Sequence, residues 1–210
     1  VSTAINIEEL FILIVPTSSG KAEINTLWRL AMLPQLLGRH FFPVTVTGKG
    51  VTQARTHVLE QLKHKLDQGK IEHNGKVRAL WWDDDLIIDP QYDLRKLANT
   101  IAESDQRGIN LIGNYRIQCE TNSRDMQNVL MHLTPGKKTR CYTDQEIAGL
   151  KNLDPLPDTV SGMGFYYGNV FLDYKFHYDE IAEDVNFFID QNLELHYSDV
   201  QLWHEKKVLI

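Results

Sequence analysis

Asp83-Asp84-Asp85 follow the apolar run Ala79-Leu80-Trp81-Trp82 and precede a second one, Leu86-Ile87-Ile88. Three adjacent carboxylates repel one another, so a buried strand would not carry them for stability. Strand geometry gives them a use. Side chains alternate between faces, which sends Asp83 and Asp85 to one side, about 7 Å apart, and Asp84 to the other. Two same-facing carboxylates at the carboxyl end of a strand make a hard-oxygen site for Mg²⁺ or Mn²⁺. In open α/β sheets that end of the strand is where ligands bind. A solvated acidic turn is the competing reading, and spacing alone does not separate the two.

Other residues could meet a ligand. Glu183-Asp184 lies just before an apolar stretch; if a helix starts there, its dipole favours two ionised acids with no further role required. Arg55 stands near the start of a second helix, where the dipole disfavours a cation. It is therefore either a holder of an anionic ligand or a solvated side chain. Pro16-Thr17-Ser18 begin a polar loop after the first aliphatic run, and its backbone and hydroxyls could touch a nucleotide or simply connect two elements. A P-loop is excluded there, because Val15 and Ala22 occupy the positions that GxxxxGK[ST] reserves for Gly and Ser or Thr. Gly162, Met163 and Gly164, with Gly168 farther on, sit among aromatics. They mark either backbone close to a ligand or a twisted strand.

The elements that must position these residues alternate. Leu10 to Val15 reads as a central strand buried on both faces. Ile24, Leu27, Trp28, Ala31 and Met32 predict a helix over about 22–33, stopped by Pro34. Phe41 to Val46 is a second strand. Ala54, Val58, Leu62 and Leu66 form the stripe of a helix from Thr52, Val77 to Trp82 a third strand, and Leu94 to Ala102 the face of a helix beginning at Asp89-Pro90. Gly108 closes that helix ahead of a fourth strand, Ile109 to Gly113. This order predicts an α/β fold with a mostly parallel sheet and right-handed crossovers. Periodicity fades from Tyr115 to Pro157, a stretch expected to be an irregular cover or flap. A short helix over 183–189 and a strand over 200–204 complete the chain. No repeat or composition shift divides it, so a single domain over 1–210 is expected, with a nucleotide-binding half over about 10–116 and an acceptor-side half over about 117–210.

The chain has 210 residues and a formal net charge of −6. A domain of that size buries roughly 70% of its unfolded surface and needs no disulfide. The negative charge excludes a duplex nucleic-acid binder, which needs a basic face. Cys119 and Cys141 have no zinc spacing, and whether they pair is open. No Asn-x-Ser/Thr acceptor occurs and no apolar run is long enough to span a membrane. The expectation is a soluble cytoplasmic protein, with attachment to a membrane surface left open.

In order along the chain, Phe11 to Ser19, Ala54-Arg55, Trp82-Asp83-Asp84-Asp85 and Glu183-Asp184-Val185-Asn186-Phe187 resemble nucleotide-sugar glycosyltransferases of the GT-A fold, over about residues 10–206. That resemblance implies a Rossmann-like nucleotide-binding half and a smaller, irregular acceptor-side half. Asp83-x-Asp85 is similar to the family's DxD motif, whose acids bind Mn²⁺ or Mg²⁺ and contact the sugar nucleotide, with Asp84 beside it. Glu183-Asp184 is similar to the acid pair that supplies the catalytic base, Asp184 first. His204 stands where many members place a third metal ligand, with His196 its nearest rival. Arg55 resembles the Arg of an Ala-Arg-Asn signature near the donor. Two positions depart from the pattern: Thr56 stands for Asn and Ala182 for Gly. The implied activity is transfer of a sugar from a UDP- or GDP-sugar to a hydroxyl on a glycan, lipid or protein. The alternatives are a nucleotidyltransferase on a related sheet, or a module that binds sugar nucleotides without turnover.

Overall fold

Alternation along the first strand sets the architecture. In Leu10–Pro16 every residue is buried, with Leu10, Ile12 and Ile14 facing one apolar cluster and Phe11, Leu13 and Val15 facing another. A strand apolar on both faces must lie inside a sheet covered on both sides. The computed structural model describes residues 5–17, 24–46, 50–118, 126–136, 138–179 and 181–204.

In chain order, β1 (Leu10–Pro16) leads through α1 (Ile24–Leu30) and α2 (Leu33–Leu37) to β2 (His40–Val46), α3 (Val51–Gln68) and β3 (Lys76–Trp82). Then come β4 (Leu86–Ile88), α4 (Leu94–Arg107), β5 (Asn110–Gly113), β6 (Arg116–Gln118), β7 (Met126–Asn128), β8 (Leu130–Thr134) and β9 (Lys138–Cys141). The last elements are α5 (Asp144–Gly149), β10 (Pro155–Leu156), β11 (Thr159–Ser161), β12 (Phe165–Phe171), α6 (Glu183–Asp190), β13 (Leu195–Ser198) and β14 (Leu202–His204).

The central sheet has seven strands in the order β10-β13-β5-β12-β3-β1-β2. Five of them (β2, β1, β3, β5 and β13) run one way, while β12 and β10 run the other. The expected mostly parallel α/β sheet is therefore present, with one difference. The crossover through α4 does not set β5 beside β3: it skips a place, and antiparallel β12 fills it. α3 (Val58, Leu59, Leu62, Leu66) and α6 (Phe187, Phe188) join the core on one face. Leu30, Leu33, Leu97, Ala98 and Ile101 join it on the other. Fully burying each of these Val, Leu, Ile or Phe side chains is worth about 1.5–3 kcal/mol.

Three expectations shift. The single helix over 22–33 is two in the described residues, α1 and α2. Pro34 opens α2, where its missing N–H costs nothing, and Gly38 closes it at φ 66°. The helix expected from Pro90 begins at Leu94, because Asp93 caps it by accepting from the Arg95 amide at 3.0 Å. The stretch read as irregular carries short strands, among them β8 and β9, which join β11 just beyond it in a three-stranded antiparallel sheet. β8 and β9, five and four residues long with partly exposed faces, are too short to leave a periodic trace.

Candidate active site

β3 ends at Trp82, so the acids do not continue the strand. The Asp83 amide donates to Gly164 O at 2.9 Å, and the Leu86 amide closes a turn onto Asp83 O at 3.2 Å. Both preceding indoles hold this turn. Trp81 Nε1 donates to Asp83 Oδ1 at 3.4 Å, and Trp82 Nε1 to Leu86 O at 2.9 Å. The strand alternation expected for Asp83 and Asp85 is thus corrected, since turn geometry gives each acid its own direction. Asp83 meets Arg55, Asp84 accepts from the Thr17 hydroxyl, and Asp85 meets His204.

Arg55 is the centre of the cluster. It projects from α3, its side chain is only 5% exposed, and its guanidinium touches three carboxylates. Nη2 donates to Asp83 Oδ2 at 3.2 Å, and Nη1 reaches Glu183 Oε1 at 3.0 Å and Asp184 Oδ2 at 3.3 Å. Burial alone would lower its pKa, but Asp83, Asp184 and Glu183 more than reverse this and keep it protonated. One cation facing three carboxylates leaves net negative charge. Burial pushes the Asp83 pKa up to about 6 against the pull of Arg55, and nearby Asp85 and Asp184 add to the rise.

Glu183 and Asp184 start α6, whose N-cap residue, Ala182, makes no side-chain capping bond. Asp184 does that work: Oδ1 accepts from the Val185 amide at 2.9 Å, and Oδ2 from the Met163 amide at 3.1 Å. Asn186, fully buried, donates to His177 O, Asp179 Oδ1 and Ile181 O, folding the preceding loop back onto the helix start. Thr56 carries a comparable load, its hydroxyl accepting from the Phe176 amide at 3.0 Å.

His204 reaches the turn through sheet register. β14 pairs antiparallel with β4, which sets His204 opposite Leu86, and His204 Nε2 lies 3.2 Å from Asp85 Oδ2. His196 instead sits within β13, opposite Pro155 on one side and Leu111 on the other, and burial lowers its pKa.

Tyr115 is a site residue that sequence reading passed over. It is buried, stacks on His204 at 6.1 Å between ring centroids, and takes a backbone hydrogen bond from Gly164. Burial raises its pKa well above the usual value, and Asp83 and Asp184 raise it further, so the phenol stays protonated. The glycines make room for it. A Cβ at Gly164 would lie 2.3 Å from the Tyr115 hydroxyl oxygen, and one at Gly162 would lie 3.1 Å away. Only the glycine spacing ahead of β12 could have hinted at this, since the tyrosine is far off in sequence. Met163 buries its side chain in the core and offers only its amide to the site. Pro16 is a buried strand residue, Thr17 faces Asp84, and Ser18 lies outside the described residues, as does Cys119.

Asp85 and His204 form an oxygen–nitrogen donor pair beside an excess of carboxylate charge. Among the described residues, no three His, Cys, Asp or Glu side chains gather into a metal-holding group. No described helix is long and apolar enough to cross a membrane.

No family model matches the chain, and no curated protein matches it. Among solved structures it is similar to a glycosyltransferase involved in the glycosylation of the major capsid of PBCV-1, with 13% identity and a TM-score of 0.36. That alignment covers 75% of this chain, which spans 59% of the other chain's length.

Proposed function

We propose that the chain is a GT-A type glycosyltransferase that moves a sugar from a UDP- or GDP-sugar to a hydroxyl of a glycan, lipid or protein acceptor, using Mn²⁺ or Mg²⁺. The observation that carries this reading is the meeting of β3's acidic turn with α6's acid pair on one buried arginine, Arg55. Residues from segments so far apart in sequence have no packing reason to bring three carboxylates together, whereas a site that must face both a diphosphate and an acceptor hydroxyl needs both groups.

The donor set suits a divalent cation held in part by substrate. Such ions are commonly bound by one or two carboxylates plus substrate phosphates rather than by a protein cage. Asp85 and His204 would hold it, with Asp83 beside them, and the imidazole tilts the choice toward Mn²⁺. A cation there would neutralise charge on the departing diphosphate. The chain's own residues do the rest. Thr17 and Asp84 close the floor between β1 and the turn, Arg55 holds the acid pair, and Tyr115 fills the space between the two sides.

A thermal-shift screen of UDP- and GDP-hexoses with Mn²⁺ tests this, because a true donor raises the melting temperature by mass action. Donor cleavage should follow and should cease in EDTA. Retention of full activity in EDTA removes the metal role. Release of pyrophosphate from NTP and sugar phosphate would point instead to nucleotidyl transfer.

A further inference from the structure

We propose that the cleft at the end of the sheet remote from the acidic turn, walled by Arg39, Arg78 and Asn169, binds the phosphate group of a small molecule.

The cleft lies where β1 and β3 begin, and its volume of about 870 Å³ is in the range of small-molecule sites. Arg78 stands four residues before Trp82, about 13 Å back along β3 from the strand end that leads into the acids. Register builds one wall. Asn169 of β12 is the antiparallel partner of Arg78, so both side chains leave the same face of the sheet as neighbours. Arg39 and Asp105 reach the cleft from outside the sheet, the first from between α2 and β2, the second from the last turn of α4.

Two guanidiniums share one carboxylate here. Arg39 Nη2 lies 2.7 Å from Asp105 Oδ2 and Arg78 Nε lies 2.5 Å from Oδ1, while the Tyr167 hydroxyl donates to Oδ1 at 2.8 Å. The two arginine side chains are only 22% and 24% exposed. One unit of positive charge is left over in the wall, in a chain whose net charge is −6. Glu8 and Glu72 line the mouth, but both are exposed, as is Lys76, so solvent screens all three.

Packing accounts for one of the two arginines. Arg78 Nη2 donates to Ser104 Oγ at 2.7 Å and to Ile109 O at 2.8 Å, which ties the end of α4 to the approach to β5. Arg39 has no such task beyond Asp105 and the Tyr167 hydroxyl oxygen. Donors also remain unused. Arg39 Nε, Arg78 Nη1 and Asn169 Nδ2 have no partner among the described residues, and none of them is sealed from solvent. Three open donors, two of them cationic, suit a phosphate, which brings three acceptor oxygens and a charge of about −1.5 to −2. A carboxylate brings two oxygens and a single charge.

The experiment uses the whole chain in EDTA, so that no divalent cation can carry phosphate to the acidic turn. Calorimetric titration with inorganic phosphate, glucose 6-phosphate and AMP, at constant ionic strength, should show saturable binding of at least one. The tightest of them tells whether the phosphate arrives free, on a sugar or on a nucleoside. Arg39→Gln leaves Asp105 its bonds to Arg78 and Tyr167 and should weaken that binding about 10-fold or more. Asn169→Asp changes a side chain on which no bond of the described fold depends, and it sets a carboxylate in the wall. It should abolish binding, and it covers the case in which the Arg39 variant does not fold. The proposal is overturned if none of the three binds with a Kd below about 1 mM, if either folded variant binds within about twofold of wild type, or if succinate binds as tightly as the phosphate compounds. No sugar nucleotide enters the titration, so its result stands apart from the glycosyltransferase reading.

Discussion

Arg55 and Glu183 are 128 residues apart in sequence, yet their side chains meet at 3.0 Å in the interior. The same guanidinium holds Asp83 and Asp184, so it neutralises part of a charge cluster that would otherwise push α6 away from the turn after β3. Arg55→Ala leaves three carboxylates without their cation. Breaking one partner from a buried ion pair costs roughly 3–5 kcal/mol. The expected outcome is a fall of that size in urea-unfolding stability together with loss of donor cleavage. Arg55→Lys restores the charge but not the two-pronged geometry, so it should recover stability only in part.

Gly164 tests the space given to Tyr115. A methyl group there would lie 2.6 Å from Tyr115 Cζ as well as close to its hydroxyl, so the whole ring must move. Gly164→Ala should cost about 1–3 kcal/mol, in the range for overpacking a filled site. Removing the ring relieves the clash. The double variant Gly164→Ala/Tyr115→Ala should therefore lose less than the sum of the two single losses in a thermodynamic cycle.

Asp85 and His204 should act together in cation response. With donor and Mn²⁺ at a hundredfold excess over Kd, binding stabilises wild type by about 2.7 kcal/mol. Asp85→Asn and His204→Ala should each abolish most of the Mn²⁺-dependent rise in melting temperature while leaving the metal-free melting curve close to wild type. EDTA should bring wild type down to the same curve.

Glu146 gives a pH signature remote from the site. Arg140 holds its carboxyl well below the usual range, helped by the Thr143 amide and hydroxyl in a capping box at the start of α5. A carboxyl whose folded pKa is depressed adds stability above its unfolded value, near about 4.3, and loses it as pH falls toward the folded value. The melting temperatures of wild type and Glu146→Gln should therefore differ at neutral pH and converge on acidification from about pH 4 downward. Thr143→Ala should cost about 1 kcal/mol, the usual worth of a helix cap.

The amino-acid sequence by itself determined the local layer of this protein. The aliphatic run of β1, the stripe of α3 and the apolar lead into Asp83 are written in neighbouring residues, because burial on one face repeats at the period of the element. The helix-starting acids Glu183 and Asp184 were legible for the same reason. Tertiary structure alone decided how these parts meet. Asp83 to Asp85 occupy a turn gripped by Trp81 and Trp82, which strand alternation could not foresee. β12 enters between β3 and β5, and β14 carries His204 to Asp85 through pairing with β4. Arg55 read as either a holder of an anionic ligand or a solvated cation near a helix start, and it is buried among acids from two distant segments. Tyr115 gave no signal of its own beyond the glycine spacing ahead of β12, since its role comes from side chains missing at Gly162 and Gly164. Such pairings depend on which strand fills which place in the sheet, and that is set by the summed packing of the whole core rather than by any window of sequence.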